Sequence, residues 1–366
     1  MRAQASDSPW GSRRGMALVV TLSVTVLLVS SALEFNRRAR QELVGSATAR
    51  DRLGLTEMAT AGIHVAMAIL AKDKVDTDTD TPLDDWADPA AVAAVLTEFP
   101  FEEGELALVI QDELGRIQVN ALVDFPEGRQ VNEAQRSLWE RFLQYFVDRG
   151  RAAGMEFRGD SEPEAILNAL KDWLDRGDDD AITGLSGAES PYYLAKKPPY
   201  AAANGPLTDL AELLRVKGVT PALYYGTPEL PGISHYLTVH GMAPGEGSGF
   251  RFPGRINITN AEPPVIFALL PAENQDLVKL VDEIRREIAP GGQTIDFRQA
   301  DWLNRIPGLA DLKLDPKLIT LTSDLFRVRA TARWNDTETT ITAVLERIPA
   351  PKTGRWTCRV LSWQVE

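Results

Sequence analysis

The sequence predicts an α+β protein on a stalk, with one long N-terminal helix followed by a head in which a helical block interrupts β-rich segments. Three observations predict it. Met16 to Leu33 is an apolar run without a single charge, and no proline interrupts the chain from there to Lys72. Strand-like segments stand at both ends of the remainder. Amphipathic helical stretches fill the space between them.

Each element follows from its residues. The run from Met16 to Leu33 is long enough to cross a bilayer. Arg13-Arg14-Gly15 precedes it, so a small residue lies before the apolar core, where prepilin-type leaders are cut and the core is retained. Two other readings compete. Ser30-Ser31-Ala32 offers an ordinary signal-peptidase site, and the run also suits a plain signal anchor. Arginines at 2, 13 and 14 face arginines at 37, 38 and 40 across the run, so the flanking charge sets no orientation.

Small and apolar residues then recur at helical spacing, at Leu55, Met58, Ala59, Gly62, Ile63, Ala66, Ile69 and Leu70. They extend the apolar run into one helix of about 55 residues, roughly 80 Å long. A break near Gly45 or Gly54 is the alternative, because glycine costs about 1 kcal/mol in a helix. The acidic, threonine-rich segment from Asp73 to Asp88 is expected to be a solvated loop.

Glu105–Gln111 and Arg116–Asn120 read as a hairpin turning near Leu114-Gly115. Residues 132–149, 162–174 and 207–216 read as amphipathic helices, and 264–287 as one more. Strands are expected at 236–240, 255–259, 325–334, 339–347 and 356–364. Val216-Lys-Gly-Val-Thr220 and Ile306-Pro-Gly-Leu309 look like helix-hairpin-helix turns, but on this chain they read as tight connections.

Composition narrows the function. The 366 residues are 44% hydrophobic and 25% charged, ordinary for a globular protein with a real core. The net charge is −13, and residues 1–15 contribute +2 of it. So acidic a surface repels phosphate backbones, which argues against nucleic acid as a partner, and it suits divalent cations. One cysteine, Cys358, excludes an internal disulfide, and His64, His235 and His240 are too scattered for a zinc site.

The densest chemical signal is Lys171-Asp-Trp-Leu-Asp-Arg-Gly-Asp-Asp-Asp180, with Glu189 following. Asp172 and Asp175 stand three apart at a helix end, where carboxylates oppose the helix dipole. Asp178, Asp179 and Asp180 follow in a loop. Oxygen ligands from a helix end, a loop and a distant glutamate can close around calcium. A solvated acidic loop and a paired-carboxylate hydrolase using Asp175 and Glu189 are the competing readings.

Taken in order, these pieces resemble the type II secretion minor pseudopilin K family (GspK). The resemblance rests on Arg14-Gly15-Met16-Ala17-Leu18, Asp112-Glu-Leu-Gly-Arg-Ile-Gln-Val-Asn120 and Asp172-Trp-Leu-Asp175. It continues through Gly187-Ala-Glu189 with Tyr192-Tyr193, Pro199-Tyr200 with Asn204-Gly-Pro206, Glu212 to Thr220, and Gly254-Arg-Ile-Asn-Ile-Thr-Asn-Ala261. It implies cleavage after Gly15 by the prepilin peptidase, methylation of Met16, and a pilin-like fold with a large inserted α-helical domain. It also implies calcium at Asp175, Asp178, Asp180 and Glu189, with Asp172 beside them.

On that reading residues 1–15 are the leader, 16–33 the transmembrane part of the helix and 34–72 its amphipathic part. Residues 73–122 and 235–366 form the two pieces of the β region, and 123–234 the insertion. Most pilins carry glutamate at the fifth mature position, where it pairs with the neighbouring subunit ahead; here Val20 stands there. The implied role is a non-enzymatic cap that helps initiate the pseudopilus. It would sit in the bacterial inner membrane with a periplasmic head. Implied partners are the I, J and H type minor pseudopilins, the major pseudopilin and the inner-membrane assembly platform. A tip subunit of a type IV or competence pilus is the nearest alternative.

Overall fold

The computed structural model describes residues 12–101, 103–177, 182–245, 247, 249–286, 295–299 and 301–366. Its first half runs α1 (Ser12–Asp76), α2 (Pro89–Thr97), β1 (Glu105–Asp112), β2 (Ile117–Gln118), α3 (Glu133–Ala152) and α4 (Pro163–Leu174). Two short helices follow, α5 (Ser190–Leu194) and α6 (Pro221–Tyr225), then β3 (Leu237–Thr238), β4 (Ala243–Pro244), β5 (Phe250–Arg251) and β6 (Ile256–Asn257). The chain ends with α7 (Pro263–Leu269), α8 (Val278–Arg286), β7 (Ile319–Thr320), β8 (Leu325–Trp334), β9 (Thr337–Pro349) and β10 (Trp356–Val365).

Helix α1 is unbroken over 65 residues, about 98 Å at 1.5 Å per residue, so neither Gly45 nor Gly54 interrupts it. Its lipid-length apolar segment is wholly exposed. From Leu55 onward, Ala59, Ile63, Ala66 and Leu70 are buried along one stripe against the sheet. Gly62 lets the helix lie close, since a Cβ there would stand 3.1 Å from Leu106 and 3.2 Å from Ala330. Gly45 and Gly54 face open space instead.

The sheet is antiparallel in the order β1-β8-β9-β10. The expected hairpin after β1 does not form. The partner of β1 is β8, with Glu105 opposite Arg333, while β2 pairs in parallel with β3. The cause is Glu113, which is fully buried and turns inward to Arg327 at 2.6 Å and Thr238 at 2.7 Å. The chain is thereby led out of the sheet and into the second body.

That second body has its own core, built from α3, α4 and the segments around them. Trp139, Phe142, Phe146, Trp173 and Tyr193 are all buried there. Each such side chain contributes about 1.5–3 kcal/mol of apolar transfer. The helical core reaches further along the chain than residue 234. Leu237, Ile256, Ile258, Val265, Leu269, Trp302 and Leu318 pack in it rather than on the sheet. The single helix expected at 264–287 is two, because Leu270 before Pro271 adopts an extended backbone.

The acidic segment after α1 is not a solvated loop. Asp73, Asp80, Thr81 and Asp84 are buried. Arg347 of β9, itself fully buried, donates to Asp73 at 2.8 Å and to Asp80 and the Ser323 carbonyl. The Asp80 carbonyl accepts from Asn257, Thr259 and Asn260 of the helical body at 2.9–3.0 Å. Asp112 accepts from the same two asparagine amides at 2.7 and 2.8 Å. This network joins the sheet to the helical body.

Candidate metal centre

Three carboxylates converge in the helical body. Asp172, Asp175 and Glu189 are buried and present oxygen atoms that lie within 4.8 Å of one another. Sequence explains each placement. Helix α4 begins on Pro163, which suits a first turn, and its apolar face sinks Trp173 and Leu174 into the core. Trp173 meets Tyr193 edge to face at 4.9 Å. With that face fixed, Asp172 lies inside the last turn and Asp175 caps it, its N–H bonding the Lys171 carbonyl at 2.9 Å. Glu189 stands immediately before α5, whose buried Tyr193 anchors the returning chain.

Residues 183–187 are laid over Asp172. The Thr183 N–H donates to both Asp172 carboxylate oxygens, at 3.0 and 3.2 Å. Lys217 holds the Ser186 carbonyl at 3.0 Å, and Asn168 donates to the Ser186 hydroxyl at 3.1 Å. Gly187 has to be glycine, because a Cβ there would run into the Asp172 carboxylate and come within 2.7 Å of the Thr183 nitrogen. The backbone is drawn as close to Asp172 as it can go.

Lys171 pairs with Asp175 and lies 3.5 Å from Asp172, so its ammonium stands beside both aspartates. Burial would push that ammonium down, but Asp175 and Asp172 together hold it above its ordinary value. The donor set is all oxygen, from the end of one helix and the residue just before the start of another. Calcium takes such sets at flexible geometry, so the residues present fit it.

The expected ligands thus divide. Asp172, Asp175 and Glu189 are brought together, and Asp172 is the most buried of the three. Asp178, Asp179 and Asp180 lie outside the described residues. Gly15, Met16 and Val20 lie on the exposed part of α1, far along the chain from this group. Sequence reasoning passed over Lys171 and Thr183. The four-residue spacing of Lys171 and Asp175 on a helix was the available signal for the first. Nothing local marks Thr183, whose contact depends on the fold of the whole segment. The two glycine turns at 216–219 and 306–309 are tight connections, closed by N–H to carbonyl bonds of 3.2 and 3.0 Å.

Comparisons with known proteins place this centre in a family context. Residues 115–226 match the family model described as type II secretion system (T2SS), protein K, and that span contains all three carboxylates. The chain is 29% identical over 216 residues to the type II secretion system protein K of Klebsiella pneumoniae, covering 58% of this chain and 60% of that protein. It is 28% identical over 214 residues to the protein of the same name from Aeromonas hydrophila, covering 57% and 60%. The matched regions therefore span about 60% of the length of these relatives.

A chain of the crystal structure of the GspK-GspI-GspJ complex from the enterotoxigenic Escherichia coli type 2 secretion system shares the fold. The TM-score is 0.59 at 18% identity, over 88% of this chain and 99% of that one. The pilin-like helix and sheet with an inserted helical body is thus a known architecture. The resemblance carried by the motifs is borne out over residues 115–226, which match the type II secretion system protein K family model, and the relatives of that name are similar over about three-fifths of the chain.

Proposed function

We propose that this chain is a non-enzymatic minor pseudopilin of the type II secretion system that caps the pseudopilus and helps to initiate it. One observation carries the reading: a K-family helical domain is inserted into a sheet mounted on a single lipid-length helix. A stalked head of this kind suits an inner-membrane anchor with the head in the periplasm. Cleavage after Gly15 leaves Met16 as the methylated first residue and Val20 as the fifth. Without an acidic side chain there, the stem places no charge in lipid that a subunit ahead must neutralise. A bulky head with no requirement above it belongs at a tip.

Partners follow from that position. The I and J type minor pseudopilins are the first expected neighbours, in keeping with the complex whose fold this chain shares. The H type, the major pseudopilin, the prepilin peptidase and the inner-membrane platform complete the set. In this role Asp172, Asp175 and Glu189 hold calcium, which supplies the positive charge that ties the end of α4 to the start of α5. Fixing that corner stiffens the helical body as a docking surface.

Two measurements test the reading. The mass of the mature N-terminal peptide is expected to correspond to methylated Met16; an N-terminus at Leu33 would remove the anchor and the proposal with it. Affinity capture of the full chain from a detergent extract of its own cells is expected to recover pilin-like proteins, and recovery of none would count equally against it.

A further inference from the structure

We propose that Lys171 is a resident counter-ion of the carboxylate centre, which a divalent cation must displace, and that it thereby sets the affinity of the site. The inference rests on the calcium reading above and adds a residue to it. Its basis is geometric. Lys171 projects from the last turns of α4 into the same space as its neighbours, pairing with Asp175 and standing 3.5 Å from Asp172. Two of the three converging carboxylates therefore already face a cation that the chain itself supplies.

The ammonium is no casual surface partner. Its side chain is 17% exposed and that of Asp175 is 11% exposed, while Asp172 is fully covered. A pair so enclosed is screened little by solvent, so the charge matters to anything that enters. The same enclosure gives Lys171 two opposed effects. Without metal it offsets the mutual repulsion of Asp172, Asp175 and Glu189 and keeps α4, the covering segment and α5 together. With metal it competes for the same oxygens and, as a like charge, opposes the incoming ion. Its flexible four-carbon stem allows it to withdraw toward solvent while remaining charged.

Exchange of one internal cation for an external one has a recognisable consequence. The metal-free protein stays folded, and binding becomes weaker than the carboxylates alone would give. A lysine that only braced the helix by its four-residue spacing would act differently, stabilising both states alike.

The test uses the full chain in detergent micelles, with calcium chloride titrated calorimetrically and melting followed with calcium or with chelator. Lys171→Met keeps the stem and removes the charge; Lys171→Arg keeps the charge. Lys171→Met is expected to bind calcium about tenfold more tightly or better, to melt lower than the parent in chelator and to recover or surpass it in calcium. Lys171→Arg is expected to bind like the parent. An unchanged dissociation constant in Lys171→Met, or an equal loss of melting temperature in both conditions, overturns the counter-ion role while leaving calcium in place. Absence of calcium binding by parent and variant alike overturns the calcium reading and this inference together.

Discussion

Two buried acidic clusters among the described residues are held in different ways. At the junction, Asp73, Asp80 and Asp112 meet a fully buried arginine and two asparagine amides. In the helical body, Asp172, Asp175 and Glu189 converge, with Lys171 beside the two aspartates and the Thr183 N–H on Asp172. The first cluster draws its donors from strand β9 and from residues 257–260, so it fastens one body to the other. The second draws Lys171 and Thr183 from its own neighbourhood along the chain. The first cluster is held by a distant guanidinium and serves as architecture; the second gathers three carboxylates within 4.8 Å of one another and suits an ion.

Arg347→Met should break the junction most severely. It strands Asp73 and Asp80 without their guanidinium, and the expected loss is about 3–5 kcal/mol in urea denaturation of the micelle-bound chain. Calcium should not restore it, and rescue by calcium would show that the two clusters are not separate. Asp172→Asn should act in the opposite manner. At calcium a hundred times its dissociation constant, the parent gains about 2.7 kcal/mol. The variant should lose that gain, read as a melting temperature that no longer rises with calcium.

Gly187→Ala comes next, at about 1–3 kcal/mol, because the added methyl must push Asp172 or the Thr183 backbone aside. The same change should weaken calcium binding; tight binding in this variant would mean that the covering segment is not part of the centre.

The smallest effect is one of pH. Burial pushes Asp112 from 3.8 up to about 6. Burial also raises Asp73 to about 6, with Asp84 and Asp80 adding to it against Arg347. A raised carboxylate favours folding fully below its unfolded value and loses that contribution as pH rises through about 6. Glu113 has the other sign. Burial would raise it, but Arg327, Arg116 and Thr238 outweigh burial and hold it low. Its contribution is present above 4.5 and lost as pH falls through the lowered value. Denaturation midpoints of the parent and Asp112→Asn across this range should converge at the acid end. A constant offset would mean that Asp112 does not titrate in the folded protein.

The contrast also explains what could be read from residues alone. The stripe Leu55, Ala59, Ile63, Ala66, Leu70 declares its helix because the period is local. Leu325–Trp334 declares its strand in the same way. Asp172, Asp175 and Glu189 were legible as a group because their spacing and the helix end that carries two of them are local too. Asp80 was not, since its partners Arg347 and Ser323 lie 267 and 243 residues away along the chain. An aspartate among threonines looks like a solvated turn until a distant arginine buries it. Glu113 misled for the same reason: its partner Arg327 is 214 residues on, and that pairing turned an expected hairpin into the exit from the sheet.

Helix α1 has a mechanical consequence. It runs without a hinge from the lipid-length segment to Asp73, where its last turns grip Arg347 of the sheet and lead into Asp80. In the proposed role, a tug or twist at the foot would be carried along one continuous helix to the seam between the two bodies.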